Sequence, residues 1–308
     1  MKTALVHDWL VTEGGSEKVL KALAELFPGP IYTLFQKDNS NEAIHTSFLQ
    51  KIPGIQKYYR NFLPLFPFAL KSFDLSSYDL IVSSSHCVAK SVAVLPHQTH
   101  ICYCHTPMRY AWEAHLTPMH PIKKLLAKPV LKALQLYDQK TASRVDHFIA
   151  NSTHVASRIR RFYGREATVI HPPVDTHLFS IAPEREDYFF TCARLVPYKR
   201  IDLLLETFAK LPKERLLIAG DGPQKEVLKR KAPNNVTFLG YLPDVRYRET
   251  LSKAKAFLHA AEEDFGIVLV EAQSAGIPVI AYGVGGSRDI VTPKKTGLFF
   301  EEQTPESL

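Results

Sequence analysis

At 308 residues, 45% of them hydrophobic, the chain carries enough apolar material for two α/β cores rather than one. No run approaches the roughly 18 apolar residues of a membrane-spanning helix, and the opening MKTALVHDWLVTEGG puts acids where a secretion leader would carry its apolar segment, so a cytoplasmic chain is expected. The net charge of +7 suits an anionic partner, and with no nucleic-acid module signature present, nucleic acid ranks last among such partners.

In chain order, a strand TALVHDWL passes through a turn at Gly14 and Gly15 into a helix SEKVLKALAELF, followed by strands PIYTLF, YDLIVSS, THICYCH, HFIANS and ATVIH. Within this half, KIPGIQKYYRNFLPLFPFALKSF contains no acid and many aromatics. Two readings fit it: a surface that enters a bilayer or cradles a lipid tail, or a packing segment in which Pro64 and Pro67 break a helix. The stretch IKKLLAKPVLKALQLYDQKTASR sets Lys123, Lys124, Lys128 and Lys132 among leucines in a basic amphipathic helix. Such a helix fits an anionic membrane surface, and it fits equally an ordinary surface helix with leucines toward the core and lysines in water.

Past Pro172 and Pro173 the rhythm restarts with strands YFFTCARL, RLLIAGDGP, NVTFLGYL, AFLHAA, PVIAYG and GLFFEE, the first five separated by helical patterns. Strands alternating with helices predict parallel sheets covered on both faces. The expected architecture is two doubly wound Rossmann-like domains, 1–170 and 171–308, facing across a cleft. Chemistry is then expected in the loops beyond the carboxyl ends of the strands. Cys87, Cys102, Cys104 and Cys192 lie in apolar or strand-like contexts, and the Cys102–Cys104 spacing matches neither a zinc knuckle nor a C-x-x-C pair, so they read as buried thiols with no metal implied.

The stretch EDFGIVLVEAQSAG has strand propensity, yet Gly276 and then Pro278 give the stop signal of a helix. As a helix it presents amides at Phe265, Gly266 and Ile267 to a phosphate or sugar hydroxyl. Glu263 before it and Glu271 within it are then suited to hold hydroxyls of a ribose or a sugar. The plainer alternative has Glu263 favouring the helix N-terminus and Glu271 pairing with a nearby base. In ARLVPYKRID, Arg194 and Lys199 flank a proline turn, where two cations neutralise a diphosphate or simply lie on the surface. The turn AGDGP, with Gly220, Asp221 and Gly222, is a weak phosphate signal, and Gly283, Gly285 and Gly286 before a helix are suited to close approach of a nucleotide. On the other half, Gly14 and Gly15 offer amides at a helix start, or a plain turn capped by Ser16. His105 ends a strand at the crevice, and Ser85, His86 and Lys90 occupy a similar strand end.

Taken together and in this order, Gly14–Gly15, YCHTP with His105, VIHPPVDTHLF, ARLVPYKRID with Arg194 and Lys199, IAGDGP, and Glu263-x7-Glu271 resemble a family 4 glycosyltransferase of the GT-B fold over nearly the whole chain. GGSEKVL, SSSHCVAK and YCHTPMRYAW further resemble a bacterial and archaeal mannosyltransferase subgroup of O-antigen and exopolysaccharide synthesis. The resemblance implies a metal-independent, cofactor-free, retaining transfer of a hexose, mannose from GDP-mannose first, to a lipid-linked or growing polysaccharide acceptor. UDP- or ADP-sugar use and a non-catalytic nucleotide-sugar binding module are the alternatives. It assigns the first domain to the acceptor and the second to the donor. Arg194 and Lys199 go to the diphosphate, Glu271 to the ribose, Glu263 and His105 to the transferred sugar, and the amides at Phe265, Gly266 and Ile267 to the donor pocket, with Gly14–Gly15 and the Gly220–Asp221 turn beside it. The family continues past TGLFFEE with helices that cross back onto the first domain, which this chain, ending at Leu308, is expected to lack. A peripheral place on the inner face of the plasma membrane is the further expectation.

Overall fold

The computed structural model describes residues 1–11, 14–37, 43–113 and 121–308, except for the side chains of 121–126. The chain divides into two compact units, Met1–Pro173 and Val174–Leu308.

Unit 1 contains strands β1 (Thr3–His7), β2 (Ile31–Thr33), β3 (Ile44–Thr46), β4 (Leu80–Ser85), β5 (Thr99–Cys104), β6 (His147–Ala150) and β7 (Ala167–Val169), with helices α1 (Gly15–Leu26), α2 (Ile55–Tyr58), α3 (Phe66–Leu70), α4 (Arg109–Trp112), α5 (Pro121–Thr141) and α6 (Thr153–Tyr163). All seven strands pair in parallel in the order β3-β2-β1-β4-β5-β6-β7. Every residue of β1 and β4 is buried, as strands covered on both faces require. Val19, Leu20 and Leu23 of α1 pack with Leu5 and Val82, while Trp9, Phe35, Phe66 and Leu70 join a second cluster.

Strand β3 and helix α6 are additions to the sequence expectation. Helix α6 carries its own signals: the Ser152 hydroxyl accepts the Val155 N–H at 3.0 Å, and Gly164, at φ 64°, ends the helix in the left-handed region.

The acid-free segment has one buried and one exposed face. Ile55, Phe66 and Leu70 are buried against the Trp9–Phe35 cluster, whereas Tyr58 and Phe68 are 51% and 60% exposed. Pro64 lies in a 3-10 turn and Pro67 in the first turn of α3, where a missing N–H costs nothing. Along α5, Leu134 is buried and Lys128, Lys132 and Lys140 are exposed, yet Leu136 is exposed too. The side chains of Lys123 and Lys124 lie outside the described residues. Among the described residues no helix is long and apolar enough to cross a membrane.

Lys90, expected as a strand-end group, is instead buried. Its Nζ lies 2.8 Å from Asp138 Oδ1 on α5, donates to the Asp138 carbonyl at 2.8 Å, and sits 4.7 Å above the Tyr163 ring. Asp138 Oδ2 accepts from Trp112 Nε1 and from the Tyr163 hydroxyl, each at 2.7 Å.

Unit 2 contains β8 (Phe189–Cys192), β9 (Leu216–Ala219), β10 (Val236–Gly240), β11 (Ala256–His259), β12 (Val279–Tyr282) and β13 (Gly297–Phe300), with α7 (Ile201–Lys210), α8 (Lys225–Lys231), α9 (Asp244–Ser252), α10 (Ile267–Ser274) and α11 (Ser287–Ile290). Its parallel order is β10-β9-β8-β11-β12-β13. The run Ile267–Ser274 is helical despite its Ile and Val, with Leu269, Glu271 and Ala272 buried. Burial among neighbours outweighs the small propensity cost of β-branching.

Both sheets thus share the order third, second, first, fourth, fifth, sixth strand, and unit 1 adds β7 at the edge. The strand sequence reverses between β1 and β4 in unit 1 and between β8 and β11 in unit 2, and at such a reversal the two flanking loops diverge and leave a crevice beyond the strand ends.

Candidate active site

In unit 2 the loops after β8 and β11 meet at the reversal. A 3-10 turn at Pro197–Lys199 and a left-handed Arg200, at φ 53°, lead the chain into α7. This turn brings Lys199 Nζ into an ion pair with Glu263, both side chains 17% exposed. His259, at the end of β11, places Nε2 3.6 Å from the same carboxylate oxygen. Burial, and then the Lys199 cation, lower the His259 pKa to about 3, so the imidazole is neutral. Glu263 therefore partners a cation from the β8 loop.

Glu271, buried in α10, accepts from the Tyr247 hydroxyl of α9 at 2.7 Å. Burial and the Glu271 charge hold that tyrosine far above its ordinary pKa. Burial first and Glu271 second also push the Cys192 thiol up to about 12. Glu271 thus already receives a hydroxyl, the kind of group a ribose would offer it.

Arg194 is exposed in the β8 loop, and Leu195 N–H donates to the Asp221 carbonyl at 2.9 Å. A Cβ at Gly220, which has φ 119°, would lie 2.0 Å from the Ala193 carbonyl oxygen, so only glycine lets the β9 turn rest on the Arg194 loop. The Asp221 carboxylate accepts from Gly222 N–H and from Lys225 Nζ. The 283–286 turn packs closely on the neighbouring loop. Gly286 N–H donates to the Glu263 carbonyl at 2.8 Å, and a Cβ on Gly285, at φ 90°, would meet that oxygen at 2.4 Å. The turn therefore presses on the backbone that carries Glu263. Phe265 is buried, Gly266 caps α10 at φ 99° and its carbonyl accepts the Leu269 N–H at 2.9 Å, and Ile267 opens the helix.

In unit 1 the corresponding reversal gathers residues that sequence reasoning missed. Asp8, fully buried after β1, accepts four backbone N–H bonds: Oδ2 from His86 and Cys87 at 2.7 and 2.8 Å, Oδ1 from Val88 and Ala89 at 2.6 and 2.8 Å. This carboxylate fixes the loop after β4. His7, Ser84 and His105 then form a chain across three strands, with Ser84 Oγ 3.1 Å from His7 Nδ1 and 2.8 Å from His105 Nε2. The His86 ring touches both histidines, at centroid distances of 5.6 and 6.4 Å. Burial, then His86, lower the His7 pKa to about 3, and the same causes with His7 push His105 well below its ordinary value.

The glycine turn differs from expectation at its cap. Gly14 N–H donates to Glu17 Oε2 at 3.0 Å, so this amide serves the helix, and the Ser16 hydroxyl donates to the same oxygen instead of capping. Gly15 is the exposed first residue of α1. Asp8, His7 and Ser84 have one sequence signal, polar residues that follow directly on the apolar runs ALV and LIV of their strands. Tyr247 has none.

His7, His100 and His259 are each held neutral by burial, with pKa values lowered to about 3, 4 and 3. The unfolded chain takes up protons on these rings below pH about 6.5 while the folded chain does not. Unfolding free energy is therefore expected to fall steadily as pH drops from about 6.5 towards 4. Urea midpoints measured across this range check it; a flat profile would contradict the three neutral rings.

The arrangement of two doubly wound units, each with polar groups gathered at its strand reversal, is that of GT-B proteins. The family model described as Glycosyltransferase Family 4 matches residues 14–178 and that described as Glycosyl transferases group 1 matches 176–308. The chain belongs to glycosyltransferase family 4. Among curated proteins it is 34% identical over 201 residues to a GDP-mannose-dependent monoacylated alpha-(1-6)-phosphatidylinositol monomannoside mannosyltransferase of Corynebacterium glutamicum, covering 55% of this chain and 52% of that one. It is 38% identical over 125 residues to a GDP-mannose-dependent alpha-mannosyltransferase of Mycobacterium tuberculosis, covering 37% and 32%. The chain spans about half the length of the curated relatives it matches, or less. Of solved structures, Anabaena HepE in complex with UDP superposes with a TM-score of 0.73 at 18% identity, covering 100% of this chain and 87% of that one. Sucrose-phosphate synthase from Thermosynechococcus elongatus does so with 0.73 at 18%, covering 100% and 88%.

Proposed function

We propose that the protein is a retaining hexosyltransferase that takes mannose from GDP-mannose and passes it to a lipid-linked or growing polysaccharide acceptor. The observation that carries this reading is the Lys199–Glu263 pair at the strand reversal of unit 2, directly before the N-terminus of α10. A diphosphate needs cations and oriented N–H groups; Lys199, Arg194 and the first amides of α10 are those groups, and they need no metal. Glu271, already bonded to one hydroxyl at Tyr247, has the acceptor geometry for the ribose, and Glu263 with His105 serves the transferred sugar. In the transfer, the acceptor oxygen bonds to the anomeric carbon as the bond to the diphosphate breaks on the same face, and the acceptor proton leaves with the departing phosphate. The protein's part is positioning and charge stabilisation. The GDP-mannose dependence of the two mannosyltransferase relatives favours that donor.

Turnover assayed with GDP-mannose, UDP-sugars and ADP-sugars, alongside thermal shift for each nucleotide, tests it. Turnover with GDP-mannose is expected; binding without turnover would leave a nucleotide-sugar binding module, and turnover with another base alone would overturn the donor assignment.

We further propose a peripheral contact with an anionic inner membrane face, supported by exposed Tyr58 and Phe68 in the acid-free segment, their neighbours Lys57 and Lys71 within cation–π distance, and exposed Lys128 and Lys132. Each surface lysine contributes about 1 kcal/mol at an anionic bilayer, so glutamates at Lys128 and Lys132 together are expected to lower sedimentation with phosphatidylserine vesicles by tenfold or more. Equal sedimentation would mean these lysines form a solvated face.

A further inference from the structure

We propose that Ser84 and His7 lock His105 in one neutral tautomer, with its proton on Nδ1, so that His105 acts as a fixed hydrogen-bond donor and not as a base. Donors and acceptors across β1, β4 and β5 can be matched in one direction. His7 Nδ1 lies 3.1 Å from the Ser84 carbonyl oxygen and 3.1 Å from Ser84 Oγ. A carbonyl only accepts, so His7 Nδ1 must carry the proton and direct it at Ser84. Among the described residues the Ser84 hydroxyl hydrogen then has one acceptor left, His105 Nε2 at 2.8 Å. An imidazole that accepts at Nε2 and is neutral is protonated at Nδ1.

The opposite chain of donors would put the His7 proton on Nε2 and set the Nδ1 lone pair against the Ser84 carbonyl. The Trp9 backbone also bears on the His7 ring, but among the described residues no hydrogen bond reaches His7 Nε2. The Ser84 contact therefore decides the direction. His86 and Tyr103 pack on the rings, with centroid distances from His105 of 6.4 and 5.1 Å, and Asp8 is turned to the backbone amides after β4. The His105 backbone is held from both sides: its N–H donates to the Ser85 carbonyl at 2.8 Å, and its carbonyl accepts from Asn151 Nδ2 at 3.0 Å. Ring position and tautomer are thus both set before any ligand arrives.

The catalytic sense of this inference rests on the reading that His105 serves the transferred sugar. With Nε2 occupied, the remaining ring nitrogen donates whether the ring is neutral or protonated, so it meets a sugar oxygen and removes no proton. Ser84 and His7 are positioning residues. The test is nitrogen-15 NMR of the histidine rings in the full chain, with His105 assigned by the signal lost in His105→Gln. The expected wild-type pattern is a protonated Nδ1 and an unprotonated Nε2, the reverse of the form that free histidine favours; a proton on Nε2 would overturn the proposal without any variant. Ser84→Ala should release the ring towards the Nε2–H form, and Ser84→Thr should retain the wild-type pattern. An unchanged pattern in Ser84→Ala would equally overturn it. In turnover, Ser84→Ala should lower kcat about three- to tenfold, the loss of one neutral hydrogen bond, with donor KM little changed and rescue by threonine. A shifted tautomer with unchanged kcat would remove the catalytic sense. If the wild-type chain turns over no nucleotide sugar, the proposed function fails while the NMR pattern still decides the tautomer.

Discussion

Asp138→Ala is expected to lower the unfolding free energy of the chain by about 3–5 kcal/mol, the effect of removing one partner of a buried ion pair. Lys90 is 1% exposed, and without Asp138 Oδ1 at 2.8 Å its ammonium keeps, among the described residues, a backbone carbonyl, a long 3.5 Å bond to the Thr141 hydroxyl and the face of Tyr163. Trp112 Nε1 and the Tyr163 hydroxyl lose their shared acceptor in the same step. Three donors, Lys90 and Tyr163 buried and Trp112 half-buried, are then under-satisfied, each carrying its own desolvation cost. Asp138→Asn keeps one acceptor oxygen for the two aromatic donors but loses the charge and sets an NH2 group, which cannot accept, beside Lys90, so it should fall between alanine and wild type. Urea unfolding at neutral pH measures both. A loss below about 1 kcal/mol for alanine, the scale of an ordinary surface pair, would mean that Lys90 finds another partner. The consequence reaches the site, because Lys90 follows directly on the amides of residues 86–89 that Asp8 holds. Loosening Lys90 loosens the loop that carries His86.

Lys199→Ala is expected to lower kcat/KM for the donor by about one to two decades, equivalent to about 1.5–3 kcal/mol for a lost charged hydrogen-bond partner. Two effects act in the same direction. The cation that would stabilise charge on the leaving diphosphate is gone, and Glu263, which pairs with Lys199 in the free chain, is left as an uncompensated negative charge beside the anion it should help to receive. Because charge on the leaving group grows in the transition state, the loss should fall on kcat more than on KM. Glu271→Ala provides the contrast. A ribose contact is equally strong in the ground and transition states, so this change should raise donor KM with kcat nearly constant. Initial rates at saturating acceptor separate the two patterns. Unchanged kinetics in both variants would place the donor elsewhere.

Much of this molecule is legible in its sequence. The helix at Ile267–Ser274 is readable against its own β-propensity, because Gly276 and Pro278 give a stop signal that a strand would not need. Glu263, Lys199 and Arg194 stand out by position, as polar groups after apolar strands or ahead of a helix, and Glu271 as an acid inside an otherwise apolar helix. The burial of Lys90 is not legible: nothing in SSSHCVAK announces a partner at Asp138, 48 residues further on. The close packing of Gly285 is hidden for a similar reason, since the surface it meets is the backbone of Glu263.

The sequence by itself determined most of the strands and helices, β3 and α6 apart, and the order in which they come, because hydrophobic period, caps and stops act over a few residues and are written where they act. Only the tertiary structure decided the partnerships: Lys199 with Glu263 across 64 residues, Asp8 with amides 78 to 81 residues away, Tyr247 with Glu271, and His7 with Ser84 and His105. The Lys199 pair depends on β8 lying beside β11, the Asp8 and His7 contacts on β1 beside β4, and the His105 contact on β4 beside β5. That adjacency is set by how the crossovers pack their helices against the sheet, a property of the whole unit that no short stretch of sequence carries.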